Sequence, residues 1–503
     1  MTTSLPIDVV LPELRRVLRE RSSAVLQAPP GAGKTTRVPL ALLEEPWLGG
    51  KKIVMLEPRR LAARMAAGWM TAQAQGRRGT EAQVGGLVGY RIRRDTKVSK
   101  DTRIEVVTEG VLTRILRSDP ALEAYGCVIF DEFHERSLPG DLGLALTLQA
   151  QQLLRPELRI LVMSATLDGA PIARLLGDAP VVSSEGRAFP VETKWIPRPK
   201  EQRVENAVVA AVRRALEEVP TGDILAFLPG AREIRSAAGM LASQLPTLDV
   251  FPLFGDLKQE EQDRAVRPSV AGRRKVVLAM SIAETSLTID GVTVVVDGGM
   301  ARVPKFSPRT GMTRLMTVRV SRASADQRRG RAGRVAPGVC YRCWDQNEER
   351  GLIPRGSPEI HEADLAPLAL DLAVQGTRPD ELPWLDAPPA AAYAQAVVLL
   401  QELGALDHDG RATPHGREIA EFGVHPRLAH MLLKAGENAR TAADLAALLG
   451  ERDILRGEGG PPDPDLTLRL EALAGRRVGM VDEGSLHRVR QESRALAEQL
   501  GLK

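Results

Sequence analysis

The segment Ala28–Thr36 reads APPGAGKTT, with two glycines just ahead of a lysine and two threonines. A short apolar run, Ala24–Gln27, precedes it, and a helical pattern follows. In that setting Gly31, Ala32 and Gly33 can turn their backbone N–H groups toward phosphate oxygens, since glycine tolerates positive φ and lets the ligand approach closely. Lys34 adds a positive charge at the β/γ-phosphates, the Thr35 hydroxyl is a hard oxygen ligand suited to Mg²⁺, and Thr36 completes the loop. The strict form of such a loop opens on glycine, whereas this chain has Ala28. A glycine-rich turn without a ligand is the competing reading of the segment in isolation.

Two further clusters complement it. The run Cys127–Phe130 ends in DEFH, Asp131 to His134. An acidic residue at a strand end can hold Mg²⁺, so Asp131 joins Thr35 as a candidate ligand. Glu132 is a candidate metal-holding residue too, and the general base that orients and polarises a water. The second cluster is QRRGRAGR, Gln327 to Arg334. Its arginines can reach a γ-phosphate only from a neighbouring domain, where they would stabilise transition-state charge and couple domain closure to hydrolysis. Apart from the other two motifs it would be a basic phosphate- or RNA-binding run.

These groups need strand ends to hold them. Apolar runs at Ala24–Gln27, Ile53–Leu56, Cys127–Phe130 and Ile160–Met163 alternate with amphipathic helical stretches. A second set follows at Ile224–Leu228, Val276–Ala279 and Val292–Val296. Strands separated by helices predict parallel sheets covered on both faces, hence two doubly wound α/β domains in tandem that meet near Gly186–Pro190. After Trp344 the chain turns helical. Ala396–Leu406 has helical spacing, Thr413-Pro414-His415-Gly416 opens another helix, and an Ala/Leu-rich stretch from Arg427 is broken by a loop at Gly459–Pro464.

The chain has 503 residues, enough for three or four domains. Lys+Arg exceed Asp+Glu by 68 − 64 = 4, so a nucleic-acid surface must be a local stripe; Arg91, Arg93 and Arg94 are candidates. Aromatics at 3% argue against base stacking as the main source of affinity for a strand. Cys127, Cys340 and Cys343 cannot build a disulfide framework and fit a reducing cytoplasm. Cys340 and Cys343 lack the second pair a zinc site needs and read as strand residues. No run reaches the roughly 18 apolar residues of a membrane helix, and no apolar signal core opens the chain.

With the three motifs in hand, the chain resembles the DEAH/RHA helicases of superfamily 2 over essentially its whole length. EPRRLAAR (Glu57–Arg64), VTEGVLTR (Val107–Arg114), Ser164-Ala165-Thr166, LAFLPGAREI (Leu225–Ile234) and AMSIAETSLTIDG (Ala279–Gly291) resemble that family's motifs Ia, Ib, III, IV and V, in order. The resemblance implies RecA-like domains at residues 1–188 and 189–350, a winged helix at 351–425 and a helical ratchet-like region at 426–503. It implies ATP and Mg²⁺ as cofactors and 3′-to-5′ movement of a monomer on single-stranded RNA or a tailed RNA duplex. Gln327 would position the water with Glu132, Arg331 and Arg334 would be the finger arginines, and Asp290 would lie near the ribose. Arg59, Arg60, Thr108, Gly230, Thr285 and Thr288 would line the nucleic-acid path through backbone contacts, which carry no sequence code. Bacterial members with the APPGAGKTT and DEFHER forms continue into an OB-fold and a further tail, so the chain is expected to stop short of these at Lys503.

The chain departs from the family at three places. Phe133 replaces an alanine and should pack behind the site. Ser281 replaces an asparagine, which puts one strand contact in doubt. Val266 stands where eukaryotic members carry an aromatic that stacks on adenine, so GTP, CTP and UTP should be accepted as well as ATP. Between motifs V and VI, Lys305–Ser307 and Met312–Val318 flank Pro308-Arg309-Thr310-Gly311, which has turn chemistry. A β-hairpin at 303–320 is expected, either as a buttress for motif VI or, as in the family, as a block to incoming duplex. A DNA helicase or translocase of the same superfamily, a nucleotide-gated RNA-binding clamp, and an ATPase without a nucleic-acid role remain the alternatives.

Overall fold

The computed structural model describes residues 5–502 except 79–82, 93–94, 166–168, 187–188, 200, 256, 271–272, 282–283, 285–288, 309 and 457–462, and without the side chains of 75–78. The chain divides into two units, Met1–Ala363 with Pro383–Asp386, and Asp364–Leu382 with Ala387–Lys503. The first unit holds two RecA-like parallel sheets.

The strands of the first sheet are β1 (Ser23–Gln27), β2 (Lys52–Leu56), β3 (Val88–Ile92), β4 (Asp95–Lys97), β5 (Ile104–Val107), β6 (Tyr125–Phe130), β7 (Arg159–Ser164) and β8 (Val181–Ser183). Their order is β4-β3-β5-β2-β6-β7-β1-β8. All pairs are parallel except β3 with β4, an antiparallel edge that the expectation of purely parallel sheets does not include. The central strands read as unbroken apolar runs because helices cover both faces; β6 is buried at every position. Helix Pro6–Glu20 closes one face with Ile7, Leu14 and Leu18, packed with Val38 and Leu42 of helix Lys34–Leu42 and Met70 of helix Arg60–Arg78.

The second sheet comprises β9 (Val191–Trp195), β10 (Asp223–Phe227), β11 (Asp249–Leu253), β12 (Lys275–Ala279), β13 (Val292–Asp297) and β16 (Gly338–Arg342), in the order β11-β12-β10-β13-β16-β9. Cys340 lies in β16; Cys343 falls one residue beyond its end, rather than within a strand as expected. All three cysteines are buried and free.

Between β13 and β16 the chain forms an antiparallel hairpin, β14 (Met300–Ser307) with β15 (Met312–Arg319), registered from Met300↔Arg319 to Ser307↔Met312. It runs Met300–Arg319 rather than 303–320, since Met300, Ala301 and Arg302 pair with Arg319, Val318 and Thr317 and extend the ladder to its root; Arg302 also pairs with Glu233 at 3.0 Å. Gly311, with φ +61°, supplies the turn conformation that a Cβ would strain. Val303, Leu315, Met316 and Met312 are exposed, and Lys305 pairs with Glu362 at 3.3 Å.

The second unit is mainly helical. Helix Ala390–Glu402 ends before Gly404 at φ +67°, and the Thr413 side chain caps helix Pro414–Glu421 by accepting the Gly416 N–H. The helix therefore begins six residues before the expected Ala396, since its first turn is alanine-rich and poor in periodic signal. Leu432, Ala443, Ala447, Val489 and Leu496 form its core. Of the expected loop at Gly459–Pro464, residues 459–462 lie outside the described residues. Among the described residues no helix is long and apolar enough to cross a membrane.

Candidate nucleotide site and nucleic-acid motifs

In the first sheet β6, β7 and β1 are neighbours, so their carboxyl ends bring DEFH, Ser164-Ala165 and the glycine loop to one edge. Ligands of open α/β sheets gather at such an edge, where the strand order reverses. Gly31 and Gly33 have φ of +87° and +95°, and Gly33 is the N-cap of helix Lys34–Leu42. That arrangement aims backbone N–H groups and the positive end of the helix at one point, as an anion site requires. The loop is fixed from outside: Ile7 N–H donates to Ala32 O at 3.1 Å, and a Cβ on Gly33 would meet Leu5 at 2.6 Å.

Lys34 is buried, with Nζ 2.7 Å from Glu132 Oε1 and 3.7 Å from Asp131 Oδ1. Thr35 Oγ1 donates to Asp131 Oδ2 at 2.5 Å. Burial alone would raise the Glu132 carboxyl, but Lys34 outweighs it and brings the group down to about 2, so Glu132 is ionised. Burial pushes Asp131 up to about 6 against the pull of Lys34. Glu57, buried behind them, is raised well above the carboxylate range by burial, Asp131 and Glu132. The Thr35 hydroxyl and Asp131 carboxylate are hard oxygen donors at one point, which fits Mg²⁺. Among the described residues no three His, Cys, Asp or Glu side chains cluster to hold a metal alone, so remaining ligands would be phosphate and water oxygens.

Glu132 itself has φ +49°, a left-handed backbone that costs a non-glycine residue on the order of 1–3 kcal/mol. Its backbone is held on both sides: the Glu132 N–H donates to Asp131 Oδ1 at 2.8 Å and its carbonyl accepts the Glu135 N–H at 2.9 Å, while His134 Nδ1 accepts the Ala165 N–H at 3.4 Å. Burial lowers the His134 pKa, so the ring is neutral and links motif II to motif III. Phe133 is buried edge-on to Phe130 with centroids 6.2 Å apart, as expected of a residue packed behind the site.

The second sheet supplies the opposite wall. Arg334 reaches the glycine loop: a Cβ on Gly31 would lie 3.6 Å from its Nε. Arg331 is buried and donates from Nε to the Glu284 carbonyl at 2.7 Å. Burial, and for Arg331 the adjacent Arg334, depress both guanidinium groups, Arg334 to about 10, while Glu132 acts against the shift in each. Arginine stays charged, so two desolvated cations face the ionised Glu132 and attract an anion between them. Gln327 is half-buried on helix Arg322–Gly330, which carries the motif.

What the motif spacing did not reveal is how this wall is held. Arg328 is buried, paired with Glu284 at 2.5 Å and Asp297 at 2.7 Å, and stacked over Phe227 at 4.9 Å. Glu284 also accepts from Ser324 Oγ at 2.8 Å. The sequence does carry one signal: Asp297 ends an otherwise apolar strand and needs a buried cation. The partners of that cation lie dozens of residues away.

The nucleic-acid candidates are dispersed around these walls. Arg59 pairs with Glu135 at 3.1 Å, whereas Arg60 is exposed. Thr108 is the N-cap residue of helix Glu109–Ser118. Gly230 starts helix Ala231–Gln244, where the Arg302 guanidinium occupies the place of a Cβ. Asp290 is exposed on a turn before β13. Arg91 pairs with Glu105 at 2.8 Å. Thr285, Thr288, Thr166, Arg93 and Arg94 lie outside the described residues.

Comparison with known proteins bears on this arrangement. Residues 11–175 match the DEAD/DEAH box helicase family, and residues 207–336 match the helicase conserved C-terminal domain. The chain is 47% identical to Escherichia coli ATP-dependent RNA helicase HrpB over 454 residues, 89% of this chain and 55% of that protein. It is 36% identical to the Schizosaccharomyces pombe pre-mRNA-splicing factor ATP-dependent RNA helicase prp22 over 444 residues, 86% of this chain and 37% of that protein. A crystal structure of the E. coli DEAH/RHA helicase HrpB superposes with a TM-score of 0.88 at 43% identity, covering 99% of this chain and 61% of that one. The chain thus spans about half the length of the E. coli relative and a smaller share of the S. pombe one. Two matched helicase domains, each on its own parallel sheet with its motifs at one edge, make the chain a member of the DEAD/DEAH box helicase family, in its DEAH branch.

Proposed function

We propose that the chain is an ATP-dependent RNA helicase motor that hydrolyses nucleoside triphosphate and moves 3′-to-5′ along single-stranded RNA. The observation that carries this reading is the approach of Arg334 to Gly31 across two sheets. A triphosphate in the glycine loop would be gripped from both, so hydrolysis can change how the sheets sit against one another.

In this reading Gly31, Ala32, Gly33, Lys34, Thr35 and Thr36 bind the phosphates, and Asp290 serves the ribose. Thr35 and Asp131, with Glu132 nearby, would hold Mg²⁺, which supplies charge neutralisation at the phosphates when bound. Glu132, kept ionised by Lys34, accepts a proton from the attacking water, and Gln327 helps orient that water. Arg331 and Arg334 stabilise the charge that develops on the transferred group. Arg59, Arg60, Thr108, Gly230, Thr285 and Thr288 contact the strand, and the hairpin Met300–Arg319 excludes its partner from the path. Residues 351–425 act as a winged helix and 426–503 as a ratchet-like region. Free buried cysteines support a cytoplasmic setting, and the motor is taken as a monomer.

ATPase activity measured with poly-RNA, with poly-DNA and with neither tests this reading. Stimulation by RNA well above that by DNA is expected. Equal stimulation by both polymers favours a general translocase, and no stimulation by either contradicts a nucleic-acid motor.

A further inference from the structure

After β16 the chain leaves the second sheet, and the stretch Ile353–Glu362 still belongs to the first unit. It meets three parts of the motor in turn. At its start the carbonyls of Ile353 and Pro354 accept the N–H groups of Arg322 and Ala323, at 2.9 and 3.1 Å. Those N–H groups open helix Arg322–Gly330, which leads into QRRGRAGR, and the first N–H groups of a helix have no partner inside it. At its end the Glu362 carbonyl accepts the Phe306 N–H at 3.0 Å, and the Glu362 carboxylate pairs with Lys305 at 3.3 Å, both on strand β14 of the hairpin.

Between these ends lies the short 3-10 helix Glu359–His361, closed by the His361 N–H donating to Pro358 O at 3.1 Å and anchored by the buried Ile360. Pro358 fixes its own φ just before the turn and stiffens the approach. Here the stretch is held from the first sheet. The Glu359 N–H donates to the Arg136 carbonyl at 3.0 Å, and Glu359 Oε2 accepts the Leu138 N–H at 2.8 Å. Leu138 opens helix Leu138–Leu153, so the carboxylate meets both an N–H that the helix leaves over and the positive end of its dipole. Arg136 ends a turn that the nucleotide site already constrains. That turn is bounded by two left-handed non-glycine residues, Glu132 at φ +49° and Arg136 at φ +51°, with the 3-10 helix Phe133–Glu135 between them. Such residues persist only where their surroundings over-determine them. The Arg136 side chain is fixed as well, by Asp141 at 3.0 Å and Asp386 at 2.6 Å. A shift of Glu132 when phosphate takes Lys34 is therefore passed along a closed turn to Glu359 rather than absorbed in slack chain.

We infer that Ile353–Glu362 is the strut through which the nucleotide site sets the position of the hairpin, with Glu359 as the positioning residue that couples hydrolysis to strand separation. The inference rests on the proposed reading of the hairpin as the element that excludes the second strand. QRRGRAGR and the hairpin belong to the second sheet and DEFH to the first, and the strut ties all three. The cleft cannot open or close without loading the hydrogen bonds of Glu359. Loss of those bonds uncouples the two activities and leaves hydrolysis in place.

The test measures RNA-stimulated ATPase and opening of a 3′-tailed RNA duplex on the same whole-chain preparations and takes their ratio. Glu359→Ala should keep ATPase within about twofold of the parent and lower the duplex opened per ATP about tenfold, the scale of one charge-assisted hydrogen bond. Glu359→Gln, which keeps an oxygen for the Leu138 N–H, should recover most of the ratio. Glu362→Ala should lower it less, because the backbone bond to Phe306 remains, and the double variant should lose no more than Glu359→Ala alone. If Glu359→Ala fails to fold, Glu359→Asp, which keeps the charge but draws the oxygens back by a methylene, takes its place. An unchanged ratio overturns the inference. So does a parallel loss of ATPase and opening in a folded variant, and so do losses that multiply in the double variant, which would mark two independent contacts. A hairpin trimmed at its turn separates the two readings. If trimming abolishes opening while Glu359→Ala leaves the ratio unchanged, only the strut falls; if trimming leaves opening intact, the hairpin does not exclude the strand, and the strut falls with that reading.

Discussion

The Nζ of Lys34 lies 2.7 Å from Oε1 of Glu132, so the cation meant for phosphate and the base meant for water neutralise one another in a buried pocket. A triphosphate in the loop takes the lysine from the glutamate. Lys34→Ala and Glu132→Gln should then fail differently. The first should lose nucleotide binding. The second should bind ATP but turn over on the order of 10²–10⁴-fold more slowly, the usual contribution of a positioned general base. Parallel equilibrium binding and steady-state ATPase distinguish the two, and normal turnover in Glu132→Gln is incompatible with its role.

Arg331→Ala should resemble Glu132→Gln more than Lys34→Ala. Its guanidinium is desolvated beside Arg334 and in the field of Glu132, so its charge is available to a developing anion. A fall in kcat of about 10³-fold or more is expected, with ATP affinity changed far less. A loss confined to KM would assign Arg331 to ground-state binding instead.

Arg328, three positions earlier in the same motif, should behave as a structural residue. Removing it strands the carboxylates of Glu284 and Asp297 in the interior, where breaking a buried pair costs about 3–5 kcal/mol. Urea unfolding should show that loss in Arg328→Ala, while the exposed neighbour Arg322→Ala should stay within about 0.5 kcal/mol of the parent. Equal stability of the two variants contradicts the keystone role.

A pH signature comes from Glu109, at the start of helix Glu109–Ser118. Burial raises this carboxyl to about 7, with Glu359 and Glu135 adding to the effect against a hydrogen bond from Ser137. An unfolded glutamate titrates near 4.3. Between those values the folded chain holds a proton that the unfolded chain has released, so stability falls as pH rises through this window. Glu109→Gln removes the penalty. It should exceed the parent by about 1–3 kcal/mol at pH 8 and by little at pH 4.5, read from urea midpoints. The same gap at both pH values would mean that the carboxyl titrates normally.

Much of this site was legible because its chemistry is local. Gly31, Gly33, Lys34 and Thr35 act through spacing within one loop, and Asp131-Glu132 through a strand end, so residue order alone exposes them. The expected strands β1, β2, β6, β7, β10, β12 and β13 are all present, most beginning a residue or two earlier, since polar residues such as Lys52 and Asp223 join the ladder at strand ends. β5 escaped notice because Glu105 interrupts its apolar run. That carboxylate is buried by Lys52 at 2.7 Å, Arg91 at 2.8 Å and the Tyr125 hydroxyl at 3.1 Å, partners far apart in the chain. For the same reason Arg91 looked like a free RNA contact, and Arg59 concealed its pairing with Glu135. Pairings across tens or hundreds of residues leave no periodic trace, so the Arg328–Glu284–Asp297 group emerged only from the fold.

Strand displacement separates a hydrolysis-driven motor from a passive RNA-binding protein. A labelled RNA duplex with a 3′ single-stranded tail, and its 5′-tailed counterpart, are incubated with the chain and ATP, alongside Glu132→Gln. The 3′-tailed duplex should open while hydrolysis proceeds, the 5′-tailed duplex should stay paired, and Glu132→Gln should open neither. Failure to open the 3′-tailed duplex despite RNA-stimulated hydrolysis, or equal opening by Glu132→Gln, would contradict a hydrolysis-driven 3′-to-5′ motor.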